Sequence, residues 1–165
     1  MGPGSQYPSY GWVWVNGKFS NMDPYERDYP PPAACCWSVN GISNNGIIVG
    51  QGFSEDWNRG WLKEATDEDF FMNTPAGNNG ADTFPTGVNS ATDVVGYNWE
   101  GWFAKHIELN EGTNDATEVS PTFIKIVYPG GSYTTIPYGV NDKRAVVGTY
   151  TNSTGTHGFL AKANF

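Results

Sequence analysis

The residues best suited to chemistry in this sequence are tryptophans set beside amides and charges. Trp57 is flanked by Asp56, Asn58 and Arg59, and Trp99 by Asn98 and Glu100; each lies just before a glycine–tryptophan pair, Gly60-Trp61 or Gly101-Trp102. His157 precedes a third pair of that kind, Gly158-Phe159. An indole offers a flat apolar face and one N–H donor, and a neighbouring amide, guanidinium or carboxylate adds directional hydrogen bonds. That combination suits a sugar ring or another small polar ligand. Trp57, Asn58, Arg59, Trp99, Glu100 and His157 are therefore the expected ligand-binding residues, and several weak sites on one molecule would gain from multivalency. The competing reading is that these side chains only cover hairpin tips.

Signals for catalysis are sparse. His106 is followed by Glu108, and acidic residues gather at Glu64, Asp67, Glu68 and Asp69. A carboxylate pair is what glycoside hydrolysis needs, but it also needs a fixed separation that the sequence does not set. No phosphate loop, nucleophile elbow or His-Glu-x-x-His motif is present. The expectation is a non-enzymatic protein, with a surface-structural or self-assembly module and a glycan-cleaving enzyme as alternatives. His106 and His157 stand alone, so no zinc set forms. The Asn and Asp residues of Asn40 to Asn45 and of Asn141-Asp142 do not match an EF-hand loop and fit turns instead. Neither metal nor cofactor is expected. The adjacent Cys35 and Cys36 cannot staple distant segments; a vicinal disulfide, an intermolecular bridge and buried thiols all remain open. Asn152-Ser153-Thr154 is a glycosylation sequon, meaningful only in a eukaryotic host.

The elements that must position these residues follow from composition. Seven Trp, nine Tyr and nine Phe stand with 21 Gly and 11 Pro in 165 residues, and charged residues make up only 16%. Aromatics suit a pleated surface and glycine supplies tight turns, so the fold class is all-β with many short strands. The net charge of −8 opposes binding to nucleic acid or an anionic membrane surface. No apolar run is long enough to span a bilayer. Residues 1–5, Met-Gly-Pro-Gly-Ser, have the look of a vector-derived leader. Residues 6–165 then form a single domain.

One pattern occurs three times: Gly41-Ile-Ser-Asn-Asn-Gly-Ile-Ile-Val-Gly50, Gly87-Val-Asn-Ser-Ala-Thr-Asp-Val-Val-Gly96 and Gly139-Val-Asn-Asp-Lys-Arg-Ala-Val-Val-Gly148. It reads as a turn feeding a strand, with Asn89, Asn141 and, in the first case, Ser43 bonding turn backbone. A second element recurs at Gly11-Trp12-Val13, Gly60-Trp61-Leu62, Gly101-Trp102-Phe103 and Gly158-Phe159-Leu160. Its aromatics, Trp12, Trp61, Trp102 and Phe159, recur in phase with the aliphatic strands and are expected in the core. Counting between these elements gives units at about 11–59, 60–100 and 101–157, with a spare strand over 158–165.

The segment Tyr138-Gly-Val-Asn-Asp-Lys-Arg-Ala-Val-Val-Gly-Thr-Tyr150, continued by Thr156-His-Gly-Phe-Leu160 and preceded by Phe123-Ile-Lys-Ile-Val-Tyr-Pro-Gly130, resembles the bacterial extracellular HAF repeat. The likeness covers roughly residues 123–160. The other units depart from it, with Arg59 and Glu100 where the family has His before Gly. The resemblance implies a secreted or cell-surface location and propeller-like blades; it implies no catalytic motif. Closed propellers use four to eight blades, so three units call for a homodimer sharing a ring with the spare strand as a clasp. A pseudo-threefold, β-trefoil-like monomer is the alternative.

Overall fold

The computed structural model describes residues 11–22, 34–54, 57–63, 69–72, 83–107, 117–119, 121–129 and 134–162, all of them in strands, turns and connecting segments with no helix. A hairpin of β1 (Gly11–Val15) and β2 (Lys18–Met22) comes first. Its two-residue turn, Asn16-Gly17, has positive φ at both positions, as the tight hairpin turn demands. The first sheet joins β3 (Ala34–Ile42), β4 (Ile48–Ser54), β5 (Trp57–Lys63) and β6 (Asp69–Met72) in antiparallel order. The second joins β7 (Phe84–Val88), β8 (Val94–Tyr97), β9 (Gly101–Ala104) and β11 (Phe123–Ile126), also antiparallel. Between β9 and β11, the short β10 (Thr117–Val119) crosses back to add parallel to β6. The third sheet is β12 (Thr134–Val140), β13 (Ala145–Asn152) and β14 (Gly155–Lys162). None of these sheets closes into a barrel among the described residues. Gly158 to Leu160, expected as a spare strand, lies inside β14 and pairs with β13 in the third sheet.

The turn before the second strand is built identically in each sheet. The side-chain oxygen of Ser43, Asn89 or Asn141 accepts the backbone N–H four residues on, from Ile47, Asp93 or Ala145, at 2.9 Å in every case. The backbone closes the same loop, with Ser43, Asn89 and Asn141 donating to the carbonyls of Ile47, Asp93 and Ala145. The residue before each of those three has positive φ: Gly46, Thr92 and Arg144. Glycine adopts that backbone freely, whereas Thr92 and Arg144 adopt it at a cost that the turn's hydrogen bonds offset.

Within each sheet an aromatic ring lies on the backbone of the glycine opposite. Gly50 pairs with Trp61, Gly96 with Trp102 and Gly148 with Phe159. A methyl group at Gly50 or Gly96 would run into the facing indole and into a carbonyl of the preceding strand, from Ser38 or Phe84. Ring and glycine thus require each other, the aromatic filling the space that the missing side chain leaves. Trp61 and Trp102 are buried as expected, and Phe159 is half-buried. Trp12 is instead exposed, resting edge-on against Phe19. In β1 the residue opposite Trp12 is Asn21 of β2, so no glycine seats the indole.

The sheets stack face to face, and strand alternation divides each strand between two cores. Val94 and Trp102 of the second sheet pack with Ile47, Val49 and Leu62 of the first. Their neighbours Val95 and Phe103 point the other way, to Val146, Val140 and Phe159 of the third. Close contact is made at small residues: a methyl on Gly60 would meet the Pro85 ring at 2.7 Å, and one on Gly101 would meet Pro137 at 2.9 Å. In β3 and β7 a residue at a bulge ties adjacent sheets, Asn40 donating to Pro85 O (2.8 Å) and Thr86 to Pro137 O (2.6 Å).

A buried carboxylate clasps the second sheet to the third. Asp93 is fully buried, and its oxygens accept from Asn89 Nδ2 (2.8 Å), His106 N (3.0 Å) and Arg144 Nε (2.9 Å) and Nη2 (3.4 Å). Burial alone would raise its pKa, but the hydrogen bonds from Arg144, Asn89 and His106 together hold it below the ordinary 3.8.

Two outcomes follow from these contacts. Gly96→Ala should cost about 1–3 kcal/mol in urea unfolding, whereas Gly158→Ala, whose methyl would meet only Gly148 O at 4.0 Å, should stay within about 0.5 kcal/mol of the parent. Asp93→Asn should cost about 2–3 kcal/mol at neutral pH by leaving Arg144 without its partner. Because the folded pKa of Asp93 lies below the unfolded one, its stabilisation is complete above the unfolded value and is lost as pH falls through the folded value. The gap between parent and Asp93→Asn should therefore shrink as urea titrations move below about pH 4; a gap constant with pH would contradict this.

Candidate functional site

The two ends of the stack differ in chemistry. At one end the three turns meet: Asn45 Nδ2 donates to Ser90 O (3.2 Å), Asn89 Nδ2 to Asn141 O (3.0 Å), and Asp142 accepts from both Ser90 N (2.8 Å) and Asn44 Nδ2 (3.2 Å). Hydrogen bonds from Ser90 and then Asn44 lower the Asp142 pKa. The amides and carboxylates at this end are thus engaged with one another, and among the described residues no group of His, Cys, Asp or Glu is placed to hold a metal ion. His106, whose Nδ1 lies 3.1 Å from Ala91 O, is drawn into the same end with positive φ. Of the acidic residues considered for catalysis, Glu64, Asp67, Glu68 and Glu108 lie outside the described residues, as does the side chain of Asp69. The side chains of Cys35 and Cys36 in β3 also lie outside them.

Because the three turns bond to each other, the far ends of β4, β8 and β13 lie at the opposite end. Trp99 and Glu100 sit in the tip between β8 and β9, where Asn98 Oδ1 accepts both of their N–H groups (3.0 and 3.3 Å). Trp99 is 76% exposed. Glu100 pairs with Lys125 of β11, and both partners are more than half exposed, so the pair contributes little to stability. Trp57, Asn58 and Arg59 belong to β5, opposite Ser54, Phe53 and Gly52; their side chains lie outside the described residues.

Trp57 and Trp99, equated from the sequence, hold different registers. The β4–β5 arms continue past Gly60 to the pair Ser54–Trp57, while β8 and β9 end at the pair Tyr97–Gly101. Trp57 is therefore a strand residue and Trp99 a turn residue. The residue matching His157, directly before the glycine, is Arg59 in the first sheet and Glu100 in the second.

His157 belongs to an aromatic stack that the sequence reading did not assemble. It lies opposite Tyr150 across β13 and β14, with ring centroids 5.1 Å apart and an interplanar angle of 26°. Tyr150 stacks in turn on Tyr128, which arrives from the segment after β11, at 3.5 Å and 4°. The neighbouring Tyr128 hydroxyl, together with burial, raises the Tyr150 pKa. Asn152 Oδ1 accepts from the N–H and hydroxyl of Thr154 (2.8 and 2.7 Å). The single Thr154 hydroxyl proton is thereby used, so at 2.9 Å it is His157 Nε2–H that donates to Thr154 Oγ1. In the neutral imidazole this tautomer makes Nδ1 the acceptor. Part of the stack was within reach of the sequence: counting outward from the Ser153-Thr154 turn pairs Asn152 with Gly155 and Tyr150 with His157.

The tip end therefore presents an exposed indole, an exposed ion pair and a three-ring stack edged by threonine, asparagine and histidine groups. Such a surface can take an apolar ring face and hydrogen-bond its substituents. Comparison of the chain with protein-family models, curated proteins and solved structures finds no match.

Proposed function

We propose that this chain is a secreted or cell-surface, non-enzymatic binding protein, and that its hairpin-tip end holds a glycan or another small polar ligand. The observation that carries the reading is the Tyr128–Tyr150–His157 stack with Thr154 and Asn152 at its edge, on the same end as the exposed Trp99. A pyranose lays its C–H face on an aromatic ring and directs hydroxyls sideways, where His157 Nδ1 and the neighbouring amide and hydroxyl groups lie. We further read the three sheets as copies of one β-unit set side by side like propeller blades. The recurring turn bonds and glycine–aromatic pairs support that reading, and the lack of barrel closure among the described residues favours blades over a trefoil. The location rests on the resemblance to the extracellular HAF repeat over residues 123–160.

Intrinsic fluorescence titrated with a panel of neutral mono- and oligosaccharides tests the binding face. The expected result is a saturable change with at least one sugar, most of it lost in Trp99→Ala, and an affinity about three- to tenfold weaker in Tyr128→Ala. A panel that leaves the emission unchanged, or a response indifferent to both substitutions, would remove the tip end from consideration.

A further inference from the structure

The outward face of the third sheet has the design of an inner face without a cover. Val49 and Leu62 of the first sheet and Val95 of the second are 0% exposed, and Phe103 is 1% exposed, because the next sheet packs on them. Their counterparts in the third sheet, Val147 and Leu160, are 49% and 74% exposed. Where Asn40 and Thr86 donate to a proline carbonyl of the following sheet, Tyr138 at the same bulge position is 54% exposed, its hydroxyl accepting from Thr149 of its own sheet. Gly60 and Gly101 lie against prolines, yet a methyl at Gly158 would find only Gly148 O at 4.0 Å. A methyl on Gly87 would meet Gly139 Cα of the next sheet at 2.8 Å, whereas one on Gly139 would meet only Val147 of its own sheet, at 3.7 Å.

We propose that this face binds the same face of a second copy of the chain, making a two-fold dimer. The face sets the projecting Leu160, Val147 and Tyr138 beside the side-chain-free Gly139 and Gly158, a relief that two copies turned about a two-fold axis can interlock, and two-fold pairing is the commonest way identical chains associate. Head-to-tail docking onto the first sheet is obstructed. There Trp61 and Ile48 are already buried, and Val39 lies against Gly11 of β1. Charge permits the contact as well. By the two-residue strand period the face also presents Thr149, Thr151 and Thr156, with Lys162 at its edge and no carboxylate among them, although the chain as a whole carries −8. Two such sheets pack about 10 Å apart, as in a β-sandwich.

Sedimentation equilibrium on the full chain over a wide concentration range tests this. The expected result is a species of twice the 18.0 kDa chain mass, with the dissociation constant raised at least about tenfold by Leu160→Lys, which charges a projection, and by Gly158→Val, which fills a recess. Both positions are exposed in the single chain, so at concentrations where parent and variants are all single chains, both variants should keep the parent's far-ultraviolet dichroism and thermal midpoint. A single-chain mass at every concentration, or a dimer unaffected by either substitution, would overturn the proposal. A chain that stays single yet takes up a synthetic hairpin of sequence 83–96 would also overturn it, assigning the face to another sheet of the same pattern.

Discussion

The stacking of the three sheets depends on an aromatic ring lying on the backbone of the glycine across from it. At Gly50–Trp61, Gly96–Trp102 and Gly148–Phe159 the ring occupies space that any side chain would deny it. With the ring turned to one face, the glycine before it and the large apolar residue after it (Leu62, Phe103 or Leu160) share the other face of the third strand. A neighbouring sheet can then approach closely enough for Gly60 to touch Pro85 and Gly101 to touch Pro137. Burial of Val49, Leu62, Val94, Val95 and Phe103 is a consequence of that approach. Trp12 marks the boundary of the rule, since without a facing glycine its ring stays in water.

Stacking the sheets in this way separates the polar groups into two populations. At the turn end, Asn44, Asn45, Asn89, Asp93, Asp142 and Arg144 bond to one another across sheets. Their hydrogen-bonding capacity is used for alignment, and the buried Asp93–Arg144 pair is strong only while both members remain. At the tip end Trp99 is exposed, and Tyr128, Tyr150 and His157 brace one another by stacking while Tyr128 stays open in part to solvent. Rigid support with an available face is what a binding surface requires.

Much of the fold was legible because glycine, asparagine and aromatic residues occupy positions that admit few substitutes. Ser43, Asn89 and Asn141 bond the turns as their chemistry foretells, and the aliphatic pairs before Gly50, Gly96 and Gly148 lie in strands. The candidate site was less legible. Trp57 and Trp99 sit at similar distances from a glycine, yet hairpin arms of different length put one in a strand and the other in a turn. Tyr128 joins Tyr150 from another sheet, and no local spacing encodes that meeting. The Asp93–Arg144 clasp is also long-range, although an arginine in the positive-φ position held by Gly46 in the first turn was a clue that its side chain has a partner.

The turn end is bonded to itself, and the tip end is the proposed ligand-binding face. That division is tested most directly by residue-resolved NMR during titration with a saccharide that alters the fluorescence. The account predicts shifts at the Trp99 indole N–H and at the His157, Tyr150 and Tyr128 rings, with the Trp61 and Trp102 indoles and the backbone of Asn89, Asp93 and Asn141 unmoved. Shifts concentrated at the turn end, with the tip residues silent, would contradict it.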